Sequence, residues 1–205
     1  VVPSVADWPV RLPADGSIAA WQEVSISPEV GGLRLAEVLV GVGDRVAKGL
    51  VLAVLAATSV ANDLALQTAS LAEARATLAE ASGNASRARQ LRDSGAISVQ
   101  QINQYLTAEA TARARVQAAD ARLRSEQLRL SQTRIVAADD GVIAGRAATV
   151  GAVAQAGQEL FRLIRQGRLE WRAEVPATDL SRILVGQPVQ VTLPDGATAA
   201  GTVRT

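Results

Sequence analysis

The feature that most constrains this chain is a proline-free, alanine-rich stretch from Val60 to Thr133 whose apolar residues recur at every seventh position. Leu64, Leu71, Leu78 and Ala85 share one heptad position, and Ala74, Ala81 and Ala88 fill the place three further on. Later in the stretch, Ile102, Val116, Leu123 and Leu130 repeat at one position, with Tyr105, Ala112 and Ala119 at the other. Glu109 interrupts the first of these two series and Glu126 the second. A seven-residue apolar period held over several heptads predicts a coiled coil, because it keeps one seam turned toward a partner helix. With no proline to kink it, each arm of about 32 to 36 residues reaches roughly 50 Å at 1.5 Å per residue. The link between the arms is short, so the two helices are antiparallel neighbours.

That link lies in SRARQLRDSGAISVQQINQY, Ser86 to Tyr105. Gly95 suits the left-handed residue just past a helix end. Ser98 and Gln101 have the spacing of a capping box, and Ile97 with Ile102 that of a hydrophobic staple, so the second helix is expected to start at Ser98. Leu91 lies six residues after Ala85. At about 100° per residue this puts it roughly 120° off the seam, and Arg87, four residues earlier, shares its face. An exposed leucine beside an arginine is a patch that a partner can use. The other hairpin charges read as a solvated outer face, with Glu109 and Arg113 as a helix-surface pair.

On either side of the helices the texture changes to short apolar alternations punctuated by glycine, which reads as strands and tight turns. The two flanks resemble each other. Gly43, five residues, Gly49 and Leu52 are matched by Gly151, five residues, Gly157 and Leu160. Upstream, Gly32-Leu33 and Gly141-Val142 open corresponding strands. Such a repeat implies two half-domains that must pair to close one core. Hydrophobic residues make up 48% of the chain but aromatics only 2%, so that core is built from thin layers of Ala, Val and Leu. Gly32, Gly43, Gly49, Gly95, Gly141, Gly151 and Gly157 are read as turn or cap residues. None has the strand-to-helix context of a phosphate loop.

The expected architecture is therefore an elongated α+β multi-domain chain. An antiparallel coiled-coil hairpin (58–133, tip at 93–98) is inserted into a split β-sandwich (22–57 and 134–166). Residues 1–21 and 167–205 form a further β module, in which LEWRAEVPATDLSRILVGQPVQVTL reads as strand, short helix, turn and strand.

The composition narrows the chemistry. The chain has no Cys, His or Met, which removes thiolate nucleophiles, disulfides, soft metal ligands and the usual general base. Asp139 and Asp140 are adjacent carboxylates, but consecutive strand residues point to opposite faces, so a turn role fits better than catalysis. Neither an enzyme, a cofactor nor a metal site is expected. A net charge of +1 with the charges spread along the chain gives no nucleic-acid footprint. The longest apolar run, Leu50 to Ala57, is far shorter than the roughly 20 residues of a membrane span. The chain opens Val1-Val2-Pro3 with neither Met nor a signal peptide, so an N-terminal anchor is expected outside it.

A split β repeat around a long coiled-coil hairpin resembles the periplasmic adaptor, or membrane fusion protein (HlyD-like), family of bacterial tripartite efflux pumps. The resemblance covers essentially the whole chain. It implies that Gln22–Leu55 with Ile135–Ile164 form a split biotinyl/lipoyl-like domain and that the outer module is an incomplete β-barrel. Family members that dock the hairpin tip on an outer-membrane channel often carry Arg-x3-Leu-x6-Ser there, a spacing that Arg87, Leu91 and Ser98 match. The resemblance further implies an inner-membrane transporter as second partner, a homo-oligomer (a hexamer in the assembled pump) and a location in the periplasm of a Gram-negative bacterium, anchored to the inner membrane. Metal-efflux adaptors tend to use Met or His, and their absence points to an RND-type drug or solvent exporter. The alternatives are an adaptor of an ABC-type or type I secretion exporter, and a coiled-coil scaffold without a transport role. A swinging-arm carrier does not fit, because the hairpin that would bear the cofactor lysine is replaced by the coiled coil. Lys48, the one lysine, lies within the Gly-x5-Gly segment.

Overall fold

The computed structural model describes residues 11–92 and 96–204. In chain order the elements are β1 (Asp15–Ala20), β2 (Glu23–Ile26), β3 (Leu33–Val38), β4 (Arg45–Val46) and β5 (Val51–Leu55), then α1 (Thr58–Leu91) and α2 (Val99–Ser131). They continue as β6 (Arg134–Val136), β7 (Gly141–Arg146), β8 (Val153–Ala154), β9 (Phe161–Arg165), β10 (Leu169–Glu174), β11 (Pro188–Thr192) and β12 (Thr198–Thr202). The chain divides into two compact units, residues 22–168 and residues 1–21 with 169–205.

In the larger unit two four-stranded sheets run in the orders β2-β9-β7-β4 and β6-β5-β3-β8. Replacing each strand by its counterpart in the other half (β2 by β6, β9 by β5, β7 by β3, β4 by β8) turns one order into the other. The numerical offset is 108, from 151 − 43 and 157 − 49. Hydrogen bonds obey it: Gly43 N–H donates to the Ile143 carbonyl and Gly151 N–H to the Leu35 carbonyl, both at 2.8 Å. One irregularity repeats as well, a register shift between Leu35 and Glu37 with its mate between Ile143 and Gly145. Each short strand pairs across the halves, β4 with β7 and β8 with β3. Neither half can therefore complete its sheet alone.

The same offset corrects the sequence alignment. Gly141 corresponds to Leu33, the first residue of β3, and not to Gly32 (141 − 33 = 108). Gly32, Gly43, Gly49, Gly151 and Gly157 all have positive φ, where a side chain is strained. Gly141 is not a turn glycine of this kind. It starts β7, and a Cβ there would meet the Ile164 carbonyl oxygen at 2.2 Å, so its job is to let two backbones approach. Gly95 lies outside the described residues.

The sandwich core contains matched pairs of buried residues: Leu35 with Ile143, Leu52 with Leu160, and Leu55 with Leu163. Ala53 is matched by Phe161, the one phenylalanine of the chain and fully buried. A large side chain on one sheet against a small one at the equivalent place on the other lets two thin layers close without a void.

The hairpin leaves this sandwich after β5 and returns into β6. Thr133 closes its base: its hydroxyl bonds the Leu130 carbonyl at 2.7 Å, and its own carbonyl accepts the Leu55 N–H at 2.8 Å. Ala56 N–H reaches the Arg34 carbonyl at 2.7 Å. Helix α1 has 34 residues and α2 has 33, about 50 Å each at the ordinary rise. The seam buries Leu71, Ala85 and Ala88 of α1 against Ile102, Ala112 and Ala119 of α2, and half-buries Leu64, Leu78, Val116, Leu123 and Leu130.

In the smaller unit β1 pairs antiparallel with β10 and β11 with β12, and a 3-10 turn (Leu180–Arg182) lies between β10 and β11. Gly16 of β1 passes close to β10: a Cβ would stand 2.3 Å from the Arg172 carbonyl. Glu170 draws in Arg172 at 3.1 Å and Arg204 at 3.4 Å, and Arg204 sits 5.8 Å over the Trp21 ring. No described residue of this unit is buried, so its ladders rest on backbone pairing and surface contacts.

Candidate functional site: the hairpin tip

At the far end of the arm, Arg87 and Leu91 stand one turn apart on α1, and both are exposed. Leu91 leaves 42% of its surface in water. Arg87 is oriented from its own helix, its guanidinium donating to Asn84 Oδ1 at 2.6 Å. Ser98 begins the return. Its backbone is extended, and its hydroxyl oxygen accepts the Gln101 N–H at 3.2 Å, so it is the N-cap and α2 proper starts at Val99. Ile102, the inner half of the expected staple, is buried, and Ile97 is half-buried. Asp93, Ser94 and Gly95 lie outside the described residues. The structure thus offers an arginine and a leucine at solvent on the last turns of α1, beside a start of α2 pinned by a cap.

Just below the tip lies a feature absent from the sequence reading. Glu109, taken there as a break in the heptads paired on the helix surface, is a seam residue with only 8% of its side chain exposed. It ion-pairs with Arg89 of the opposite helix and receives Arg113 of its own helix at 3.4 Å. The Arg89 hydrogen bond, more than the charges of Arg89 and Arg113, holds the Glu109 carboxyl below its ordinary range despite burial. The signal was the heptad position itself: an acidic residue at an a-type place needs a partner, and an arginine-rich facing helix supplies one.

Asp139 and Asp140 serve turns. Asp139 ion-pairs with Arg165 and accepts the Asp140 N–H at 2.9 Å, while Asp140 Oδ1 accepts the Lys48 N–H at 2.8 Å. The Arg165 hydrogen bond keeps the Asp139 carboxyl below its usual range. Among the described residues no group of three or more acidic side chains could hold a metal ion, and no helix is long and apolar enough to cross a membrane.

A sandwich split by a coiled-coil hairpin defines the class to which the comparisons lead. The CzcB-like, barrel-sandwich hybrid domain matches residues 22–164, and the chain belongs to that family. The Escherichia coli K12 protein YdhJ is 32% identical over 179 residues, which is 87% of this chain and 62% of YdhJ. The chain therefore spans under two thirds of that relative's length. The membrane fusion protein Spr0693 of Streptococcus pneumoniae R6 superposes with a TM-score of 0.70 at 21% identity, over 93% of this chain and 80% of its own. ZneB of Cupriavidus metallidurans gives 0.61 at 23% identity, over 93% and 81%. At these identities the structural likeness is one of fold.

Proposed function

We propose that this chain is a periplasmic adaptor of a tripartite efflux pump, bridging an inner-membrane transporter to an outer-membrane exit duct. The observation that carries the reading is an arm of about 50 Å ending in exposed Arg87 and Leu91, raised on a split sandwich of the adaptor type. The work done is geometric. The hairpin spans distance, its tip meets the duct, and the β modules of several copies, six in the assembled pump, surround the conduit. Arg87 and Leu91 make the contact, while Ser98 fixes where α2 begins. An RND-type transporter exporting drugs or solvents fits a chain without the Met, His and Cys ligands that soft and borderline metal cargoes favour.

The test is drug susceptibility in cells whose complete protein carries Leu91→Asp, with Ala79→Asp on the exposed mid-hairpin face as control and periplasmic abundance checked for both. Leu91→Asp is expected to abolish resistance while Ala79→Asp leaves it intact. Unchanged export in a strain shown to depend on this protein would remove the tip from the mechanism.

A further inference from the structure

Arms of this length must hold their axial register from base to tip, and the two halves of this hairpin differ in how they can do so. Toward the base the seam contains Leu64, Leu71 and Leu78 on α1, with Leu123 and Leu130 on α2. Asp63 and Arg129 add an exposed interhelical pair at 3.3 Å. Large knobs fit only one set of holes, so this half has one favoured stagger. Toward the tip, α1 presents Ala81, Ala85 and Ala88 in succession. Alanine offers the same small knob at every layer, and its contacts change little when one helix slides against the other. Gly83 sits in the same segment, where glycine weakens a helix interior. At the end that carries Arg87 and Leu91, large seam residues come from α2 alone, Ile102 and Tyr105, against small ones on α1, so packing aligns this end less firmly than the base.

At this place Glu109 is held by Arg89 from α1 and by Arg113 from α2. We propose that this clasp is a register lock: the buried Glu109 carboxylate holds α1 and α2 in one alignment through Arg89 and thereby positions the tip. A shift or splaying of the helix ends that parts Glu109 from Arg89 would leave the seam carboxylate with Arg113 of its own helix as its remaining partner. Losing the cross-helix partner of a largely buried charge disfavours that alternative, whereas a leucine at the same place would tolerate it. Glu109 is thus a positioning residue. Its consequence for docking rests on the adaptor reading, but the lock itself does not.

The chain has no native cysteine, so spin labels can be placed freely. One pair, Ser86→Cys with Asn103→Cys, reports the tip half; another, Ala72→Cys with Gln117→Cys, reports the middle. All four positions are exposed. Distances are read by double electron–electron resonance in the full chain, with and without Glu109→Leu. Arg89 and Arg113 are 53% and 66% exposed and can turn into water when Glu109 is removed, so the variant is expected to fold, with a melting temperature equal to or above the parent's. The tip distance is expected to change from one narrow population to a broad or split distribution. The middle pair is expected to stay narrow. Arg89→Leu/Glu109→Leu, which leaves no orphaned partner on the facing helix, is expected to behave alike. A stabilising role alone would move the melting temperature and not the distance, and a tip distance that stays narrow in both variants would overturn the lock. Export then separates the two ideas: a broadened tip with undiminished export, together with unchanged export in Leu91→Asp, would keep the lock and discard docking through the tip.

Discussion

The sandwich and the hairpin of the larger unit solve the same problem, joining two layers, in opposite ways. In the sandwich, each half supplies strands to both sheets, and the interior is wholly apolar, with Leu35, Leu52, Leu55, Ile143, Phe161 and Leu163 all nearly or fully shielded. In the hairpin one seam is shared between two helices, much of it alanine, and a carboxylate is set into it. The first arrangement is redundant, since many interlocked contacts specify one structure. The second is thin: it gains length with few residues and leaves individual side chains to decide alignment. Such a division of labour would suit the spacer role proposed above.

The largest expected effect that tests this contrast is Phe161→Ala. Emptying the one large aromatic site of an interlocked core should cost about 3–5 kcal/mol, whereas Leu71→Ala in the seam should cost about 2 kcal/mol, because two helices can close onto the gap. Urea denaturation measures both, and equal losses would erase the contrast. Next comes Gly141→Ala. Its Cβ would press on the Ile164 backbone, whereas Gly43→Ala meets open space and only left-handed strain, about 1–2 kcal/mol. The Gly141 variant should be the less stable of the two; the reverse order would deny the close approach of β7 to β9. Ser98→Ala should cost about 1 kcal/mol and show as fraying of α2 in hydrogen exchange near the tip, with the sandwich unaffected.

The smallest effect concerns acid. Glu109 and Asp139 have folded pKa values below their ordinary ones, so the unfolded chain binds protons first as pH falls. The stability these groups contribute is fully present above the ordinary carboxylate range of about 4 and is lost as pH falls through the lower folded values. Glu109→Gln should therefore flatten the acid slope of hairpin melting, and an unaltered slope would exclude Glu109 as a titrating contributor.

Much of this was legible in the sequence, for local reasons. The heptads located the hairpin because burial along a two-helix seam must recur at that period, and Ser98 was readable as a cap because capping depends on neighbours alone. The β repeat was visible in Gly43, Gly49, Gly151 and Gly157, whose positive φ leaves a signature that survives in sequence. Gly141 was misread because a glycine required by a close backbone approach looks the same as one required by a turn, and only the pairing with Ile164 separates them. Glu109 was missed because its partner, Arg89, is fixed by interhelical register, which an alanine-rich seam does not declare. The start of α1 at Thr58, where the hairpin was placed, carries no capping signal: Ala57 precedes it with no side-chain cap, and burial of Val60 holds the first turn instead.

The most direct measurement of the central claim is site-specific photo-crosslinking in living cells, with a photoreactive amino acid placed at Leu91 or, near the base of the same helix, at Leu66, which is also exposed. A tip that docks on an exit duct predicts a crosslink from position 91 to an outer-membrane channel protein, identified by mass spectrometry, and none to that protein from position 66. An equal yield from both positions, or a tip that reaches no outer-membrane protein in a strain with active export, would contradict the account.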